Sequence, residues 1–340
     1  LVDWLEGYLT GQGVKCFRHW NEDRQKAALI GHAGPWVEGA VVLSGHSDVV
    51  PVAGQDWTSD PFVLTERNGR WLGRGSADMK GFIGVVVAQA QAFLEADLPF
   101  AVHLAFSYDE EVGGFGVRRL IADLRDANLA PTHCIVGEPT SLVPAVAHKG
   151  VHRWRCGVRG KAAHSSLTPR GCNAIEYAAR LICRVRDLAD EFRSRGPYDD
   201  CFDVPFTTMG TNLIAGGIAV NTIPDACEFS YEFRNLPGMS PDEIQGRIEA
   251  YIQDDLLPRM RRDHDAARIE IEAMPAAVPS LEASERDAVT RLARALTGDR
   301  GTAKVSYGTE GGMPNFDDIL SKDEIRPHAA FGALNLDWQR

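Results

Sequence analysis

Short apolar runs alternate with helical patterns along the first half of the chain. Three β-type runs, at 41–43, 101–107 and 134–136, each end in polar residues. The Val, Ala and Phe content between the first two runs predicts a buried helix at 79–95, and a further helix is predicted at 116–127. Strands that alternate with helices indicate βαβ units. This part of the chain therefore predicts an α/β domain with a mostly parallel sheet.

The pattern changes near Val151. Strands and helices are predicted in the order βαββαβ, at 151–158, 173–192, 207–214, 226–233, 241–252 and 267–272. Ser240 is the predicted N-cap of the second helix, because a first-turn proline follows it. This order is typical of a compact α+β sandwich. A helix at 284–296 indicates a return to the first domain, so residues 151–276 are predicted to be inserted between 1–150 and 277–340.

The composition is that of a globular protein and excludes disordered and fibrous classes, with 44% hydrophobic and 24% charged residues. A length of 340 residues favours two domains over one core. The net charge is −11 and no block of Lys or Arg forms a basic stripe, so a nucleic-acid partner is not expected. No apolar run reaches the ~18–20 residues that span a bilayer, so no membrane association is expected.

The seven cysteines are scattered, and none forms a C-x-x-C pair. This spacing argues against a disulfide framework and a thiolate zinc site, and it predicts a reducing, cytoplasmic location. No signal peptide is visible. The chain opens on Leu1 with an amphipathic helix already under way, which leaves open whether the natural N-terminus is included.

Metal-binding side chains follow the three β-type runs of the first domain. His46 follows the first run, Glu110 and Glu111 follow the second, and Glu138 follows the third, while Asp78 precedes the first helix. Open α/β sheets bind ligands at the carboxyl ends of their strands. Imidazole and carboxylate groups bind zinc, and a bridging carboxylate offsets the repulsion between two divalent ions. We therefore predict a two-metal site in which Asp78 bridges, His46 and Glu138 complete one metal, and Glu111 serves the other.

Two more carboxylates are predicted to act beside these ligands. Asp48 lies two residues beyond His46, on the same face of the predicted strand, and is expected to accept the second imidazole N–H. Glu110 adjoins a ligand but points differently, so it is predicted to be the general base that deprotonates the attacking water. Each proposed ligand and Glu110 also has an ordinary interpretation: His46 as a structural histidine, Asp78 as a helix cap, Glu110 with Glu111 as a solvated turn, and Glu138 as part of a loop before Pro139. The combination, in this order along the chain, favours the metal site.

Three segments resemble the motifs of the di-zinc aminoacylase and carboxypeptidase family, which includes acetylornithine deacetylase and succinyl-diaminopimelate desuccinylase. They are 44–51 (SGHSDVVP), 73–81 (GRGSADMKG) and 108–113 (YDEEVG). The resemblance implies an α/β di-zinc peptidase-type catalytic domain with an inserted ferredoxin-like domain. In this family the inserted domain usually forms the surface of a homodimer. Two Zn²⁺ ions per chain are expected, with Co²⁺ as a substitute.

Four further segments resemble the acetylornithine deacetylase subgroup: 137–140 (GEPT), 147–150 (AHKG), 160–166 (GKAAHSS) and 307–310 (YGTE). This resemblance implies hydrolysis of an N-acyl amino acid, with N-acetylornithine as the best single substrate, in arginine biosynthesis. Another N-acyl amino acid, succinyl-diaminopimelate or a dipeptide is an alternative substrate. A different class also stays open, that of a catalytically impaired relative that binds a ligand or only dimerises.

The resemblance implies substrate contacts in the inserted domain and raises a question about the last metal ligand. His164 resembles a family histidine that reaches the neighbouring subunit's active site and stabilises the oxyanion. Asn221 and Arg234 match positions implied in binding the substrate carboxylate, which an arginine can hold with two hydrogen bonds. Without the resemblance, His164 is a loop histidine and Arg234 a surface charge. The family's late histidine ligand has no clear counterpart, since His328 is the only late histidine and its spacing is short.

Overall fold

The computed structural model describes residues 1–37, 39–126, 131–275, 277–284, 286–312 and 332–333. Within them the chain divides into two compact units. The first comprises Leu1–His148 with the described part of Leu281–Arg340, and the second is Lys149–Ser280. The predicted limits of the inserted domain, 151 and 276, lie within four residues of the limits of the second unit. The role of each unit stays a prediction.

The strands of the described residues are short, and most of them belong to one of two sheets. In chain order they are β1 (Lys15–Trp20), β2 (Ala27–Ala33), β3 (Ala40–His46), β4 (Thr65–Arg67), β5 (Arg70–Leu72), β6 (Val102–Ser107), β7 (Pro131–Val136), β8 (Ala145–His148), β9 (His152–Arg159), β10 (Ala163–His164), β11 (Thr208–Gly216), β12 (Thr222–Ile223), β13 (Ala226–Arg234), β14 (Arg268–Ala273), β15 (Leu281–Glu282), β16 (Ala303–Val305) and β17 (Gly332–Ala333).

The helices lie before, between and after groups of these strands. They are α1 (Val2–Gly11), α2 (Lys80–Ala88), α3 (Ala90–Glu95), α4 (Phe115–Asp126), α5 (Ala174–Arg195), α6 (Pro241–Tyr251), α7 (Leu257–Asp263) and α8 (Ala288–Leu296). The single helix predicted at 79–95 is divided between α2 and α3. No helix of the described residues is both long and apolar enough to cross a lipid bilayer.

The first unit is built on a mixed sheet of nine strands, counted over the described residues. Its order is β1-β2-β6-β3-β7-β17-β8-β15, with β16 also paired to β8. β3 is parallel to both β6 and β7, whereas β1–β2 and β2–β6 are antiparallel. The predicted α/β fold class is confirmed, with parallel pairing around β3 and antiparallel pairs at the β1 side. The carboxyl ends of β3, β6 and β7 therefore share one edge of the sheet.

A buried helix face fixes α2 against this sheet. Phe82, Ile83, Val86 and Val87 are buried on α2, at the spacing that places them on one side of a helix. They belong to an apolar cluster that also contains residues of α1, β2 and β6. This packing holds the beginning of α2 beside the carboxyl end of β3.

The second unit has the predicted βαββαβ order. Its sheet, in the order β11-β13-β9-β14, is antiparallel throughout. Alternate residues of β13 are buried, as expected for a sheet covered on one face: Cys227, Phe229, Tyr231 and Phe233. Ser240 caps α6 as predicted, because its side chain accepts a hydrogen bond from the Glu243 N–H. The helical segment runs further than predicted, through a π-helical turn at Ile252–Leu256 into α7.

Candidate metal centre

The predicted ligands converge at the sheet edge where β3, β6 and β7 end. His46 is the last residue of β3 and is aligned with Ser107, the last residue of β6. Ligand atoms of His46, Asp78 and Glu111 all lie within 4.8 Å of one another, and so do those of His46, Glu110 and Glu138. The two groups share His46. The structure thus brings together all five residues that the sequence predicted for this centre.

The two ring nitrogens of His46 face different partners. Nε2 lies 3.0 Å from Asp78 Oδ1 and 3.8 Å from Glu138 Oε1. Nδ1 lies 3.2 Å from the carbonyl oxygen of Asp48 and 3.4 Å from its Oδ1. His46 therefore presents one nitrogen to the cluster of carboxylates, while Asp48 orients the ring from the other side.

Asp48 is placed differently from the sequence prediction. β3 ends at His46, so Asp48 lies in the loop that follows the strand rather than on its face. Its two carboxylate oxygens accept hydrogen bonds from the backbone N–H groups of Glu110, at 3.1 Å, and Glu111, at 3.0 Å. Burial alone would raise the pKa of Asp48, but the hydrogen bonds from His46 and from these two N–H groups lower it. Asp48 therefore stays ionised and holds the Glu110–Glu111 turn.

Burial and mutual repulsion disfavour ionisation of the clustered glutamates. Burial, with the charge of Glu310, raises the pKa of Glu110 to about 8. Burial, with the charge of Glu110, raises the pKa of Glu138 well above its usual range. Burial would lower the pKa of His46, but hydrogen bonds to Asp48 and Asp78 raise it to about 11.

A nearby lysine offsets only part of this negative charge. Lys80 Nζ donates to the carbonyl oxygen of Asp48 at 3.5 Å, and burial lowers the pKa of Lys80. Buried carboxylates are costly unless cations neutralise them, and metal binding favours their ionised form. The donor set of one imidazole and several carboxylates is the kind that zinc accepts. The residues therefore fit a centre for divalent cations.

Two glycines allow the close approach of chain segments around the ligands. A Cβ on Gly137, the residue before Glu138, would lie 2.0 Å from the ring of Phe82. Gly75 has a φ of +82°, and a Cβ there would lie 2.6 Å from a methyl of Val49. These two positions need glycine, since any side chain would displace a segment that carries a metal-ligand candidate.

Glu310 joins this region although the sequence assigned it no role. Its Oε2 accepts a hydrogen bond from Ser44 Oγ at 3.0 Å, and its Oε1 accepts one from Ser107 Oγ. The sequence signal for Glu310 is the segment 307–310 (YGTE), which resembles the acetylornithine deacetylase subgroup. The contact joins residues that are more than 200 positions apart, and local sequence patterns carry no information about it.

The three predicted substrate-binding residues lie in the second unit. His164 in β10 is paired with Thr222 in β12, and the Ser165 N–H donates to the carbonyl oxygen of Asn221 at 3.0 Å. The fold thus brings His164 close to Asn221. Arg234 ends β13, where its Nε donates to Glu232 Oε1 at 3.2 Å. His328 lies outside the described residues, so the structure does not test whether it binds metal.

A cavity of about 930 Å³ lies in the first unit. Its lining is mainly apolar and includes Trp57, Phe62 and Trp71. It extends to Ala77 and Pro139, the residues next to Asp78 and Glu138 in the chain.

Known proteins share both the sequence and the fold of this chain. Residues 146–260 match the pattern of the M20 peptidase dimerisation domain. Acetylornithine deacetylase from Pasteurella multocida is 33% identical over 311 residues, which cover 91% of this chain and 78% of that protein. The chain belongs to the M20 metallohydrolase family. The family predicted from the sequence motifs is thereby confirmed, and this M20 protein is a metal-dependent amidohydrolase.

Solved structures agree with the fold of this M20 protein. A tripeptidase from Staphylococcus aureus superposes with a TM-score of 0.70 at 17% identity, over 98% of this chain and 83% of that one. A dinuclear metal-binding M20 peptidase from Bacillus subtilis gives a TM-score of 0.65 at 13% identity, over 99% and 86% of the two chains. At these identities the likeness establishes the fold alone. The match to a dimerisation domain indicates self-association of the M20 protein.

Proposed function

We propose that this M20 protein hydrolyses the amide bond of an N-acyl amino acid. N-acetylornithine is the first substrate to test, with ornithine and acetate as products and arginine biosynthesis as the setting. The observation that carries the proposal is the convergence of His46, Asp78, Glu111 and Glu138 ligand atoms beside Glu110. The choice of substrate is supported by the name of the relative that is 33% identical.

The acidic cluster would hold two Zn²⁺ ions, or two Co²⁺ ions as substitutes, through nitrogen and oxygen ligands. His46 and Glu138 would bind one ion and Glu111 the other, with Asp78 shared between them. When bound, such ions acidify a water molecule and polarise the acyl carbonyl.

Glu110 is the proposed general base. Its side chain is partly buried, and burial raises its pKa in the metal-free protein, so it accepts a proton more readily than an exposed glutamate. It takes the proton of the attacking water and then delivers it to the leaving nitrogen, so that the amine departs uncharged. Asp48 supports this role because it binds the Glu110 N–H and also contacts His46.

The second unit is the proposed dimerisation and substrate-binding domain. β11 lies at the edge of its sheet, and four apolar side chains on β11 and in the loop after it are exposed: Leu213, Ile214, Ile218 and Val220. An exposed edge strand with apolar side chains is a ready surface for pairing with a second copy. In the proposed homodimer His164 serves the partner's site as oxyanion donor, while Asn221 and Arg234 bind the substrate carboxylate.

A second candidate function is hydrolysis of a larger substrate, such as succinyl-diaminopimelate, another N-acyl amino acid or a dipeptide. The observation that favours it is the cavity of about 930 Å³, whose lining includes Ala77 and Pro139, the chain neighbours of Asp78 and Glu138. We also propose a cytoplasmic location, as the scattered cysteines predict.

Two measurements test these proposals. The zinc-loaded protein is assayed against a panel of N-acetyl, N-succinyl and bulkier N-acyl amino acids together with dipeptides. Preference for N-acetylornithine supports the first function, whereas preference for an N-succinyl or other N-acyl amino acid or for a dipeptide supports the second. Metal analysis of the same preparation tests the alternative that this protein is a catalytically impaired relative of the enzymes. About two zinc ions per chain support the enzyme, while no bound metal and no turnover of any substrate would refute both functions.

A further inference from the structure

Glu310 is a buried carboxylate with two buried hydroxyl partners. Only 2% of the residue is exposed, and Ser44 and Ser107 are also buried. Ser44 Oγ donates to Oε2 at 3.0 Å and Ser107 Oγ donates to Oε1, so each carboxylate oxygen has a partner. This arrangement distinguishes Glu310 from the ligand candidates, whose ligand atoms lie within 4.8 Å of one another in two groups.

The two hydroxyls belong to the strands that carry the proposed catalytic groups. Ser44 lies on β3, two residues before His46. Ser107 ends β6, is aligned with His46, and lies three residues before Glu110. The carboxylate of Glu310 therefore spans both strands at the point where the metal-ligand candidates emerge.

A buried carboxylate with only neutral donors is costly to maintain, because the loss of hydration exceeds the gain from two hydroxyl hydrogen bonds. The Ser44 and Ser107 contacts place the Glu310 carboxylate at the strand ends that lead to His46 and Glu110, and burial raises the pKa of Glu310 in the metal-free protein. Another negative charge among carboxylates opposes folding of the metal-free protein, whereas it attracts divalent cations.

We infer that Glu310 is a positioning residue of the metal centre, which fixes the ends of β3 and β6 through Ser44 and Ser107 and adds a buried negative charge that strengthens cation binding. The inference rests on the proposed metal site. Among the described residues, Glu310 belongs to neither group of converging ligand atoms, and its two oxygens contact Ser44 and Ser107 instead.

Zinc affinity and metal-free stability separate this role from a purely structural one. Glu310→Gln keeps the size and one acceptor oxygen but removes the charge. Its zinc dissociation constant, measured by chelator competition, is expected to rise about 10- to 100-fold. The metal-free variant is expected to unfold at the same temperature as the wild type or higher. Glu310→Asp keeps the charge and is expected to lose less affinity.

Glu282→Gln is the matched control, because Glu282 is an exposed glutamate of the same unit that pairs with Lys304. It should bind zinc as the wild type does. A Glu310→Gln variant with wild-type zinc affinity would overturn the inference, provided that the wild-type protein binds zinc. Failure of the wild type to bind zinc would overturn the proposed function itself, so the two failures are distinguishable.

Discussion

The carboxylate of Asp48 accepts a hydrogen bond from the backbone N–H of Glu110 at 3.1 Å. The same Oδ1 lies 3.4 Å from Nδ1 of His46, and Oδ2 accepts the Glu111 N–H at 3.0 Å. One side chain therefore connects the loop after β3 with the turn after β6. Asp48 therefore positions both proposed ligands, His46 and Glu111, together with the proposed base Glu110.

Replacing Asp48 should disturb both groups at once. Asp48→Asn keeps the shape but removes the charge and one acceptor, so we expect zinc affinity or kcat/KM to fall about 10- to 100-fold. Zinc titration and steady-state kinetics measure the two effects. Asp56→Asn, at a nearby exposed position, is the control and should change neither. Unchanged zinc affinity and unchanged kinetics for Asp48→Asn would contradict the positioning role.

Replacing Glu110 should remove catalysis without removing metal. Glu110→Gln cannot accept the proton of the attacking water, so kcat should fall about 10²- to 10⁴-fold. Zinc content, measured on the same preparation, should stay at the wild-type level because other side chains supply the ligands. Glu66→Gln, on the exposed strand β4, serves as the control. Near-normal turnover with retained zinc would rule out Glu110 as the base.

The raised pKa of Glu110 predicts how the stability of the zinc-free protein depends on pH. Its folded pKa rises from 4.5 to about 8, chiefly through burial. A raised folded pKa means that the protonated form is favoured by folding, so this contribution is full below the unfolded value and is lost as the pH rises through about 8.

Glu110→Gln does not titrate at this position, so its stability relative to zinc-free wild type should increase between about pH 5 and pH 8.5. Chemical denaturation of both proteins across this range measures the difference. A difference that stays constant with pH, or that changes in favour of the wild type, would contradict the burial argument.

Gly137 should tolerate no side chain. A Cβ there would lie 2.0 Å from the ring of Phe82, so Gly137→Ala should destabilise the fold by about 1–3 kcal/mol through overpacking. It should also weaken zinc binding, because Glu138 is the next residue. Gly84→Ala is the matched control, since a Cβ at this helical position meets no atom within 4 Å and should be neutral or mildly stabilising. Equal thermal stability of the two variants would refute the packing argument.

A charge on the β11 edge should weaken the proposed dimer. Leu213 is 69% exposed on this edge strand, and Leu213→Asp would place a desolvated charge in the interface. We expect the dimer dissociation constant to rise about tenfold or more. Leu292→Asp, on an exposed face of α8, should leave dimerisation unchanged. Sedimentation at several protein concentrations measures the dimer dissociation constant of each variant. Equal constants for both variants would contradict an interface at the β11 edge.

The sequence predicted the parallel core and most of the site because the signals are local. An apolar run followed by His46, Glu110 or Glu138 identifies the strand end and the ligand in the same few residues. Parallel strands then place their ends at one edge by geometry alone. Local sequence also predicted helix α5 from its amphipathic pattern and the N-cap from Ser240, because helix periodicity and capping act over one or two turns.

Other features escaped prediction because their causes lie far apart in the chain. β1 and β2 pair antiparallel on the outer side of β6, and β2 is buried along its whole length, so it lacks the alternation that marks a half-buried strand. The loop position of Asp48 followed from the end of β3 at His46, which the continuous motif does not reveal.

The sequence by itself determined the fold class, the family and the chemical identity of the proposed ligands, because these depend on residue types and short spacings. Only the tertiary structure decided which atoms meet. It placed the Asp48 carboxylate where it accepts hydrogen bonds from the Glu110 and Glu111 N–H groups. It also placed Glu310 within hydrogen-bond distance of Ser44, 266 residues away. Such contacts arise when buried strands and helices pack to exclude water, and this packing has no periodic signal in the chain.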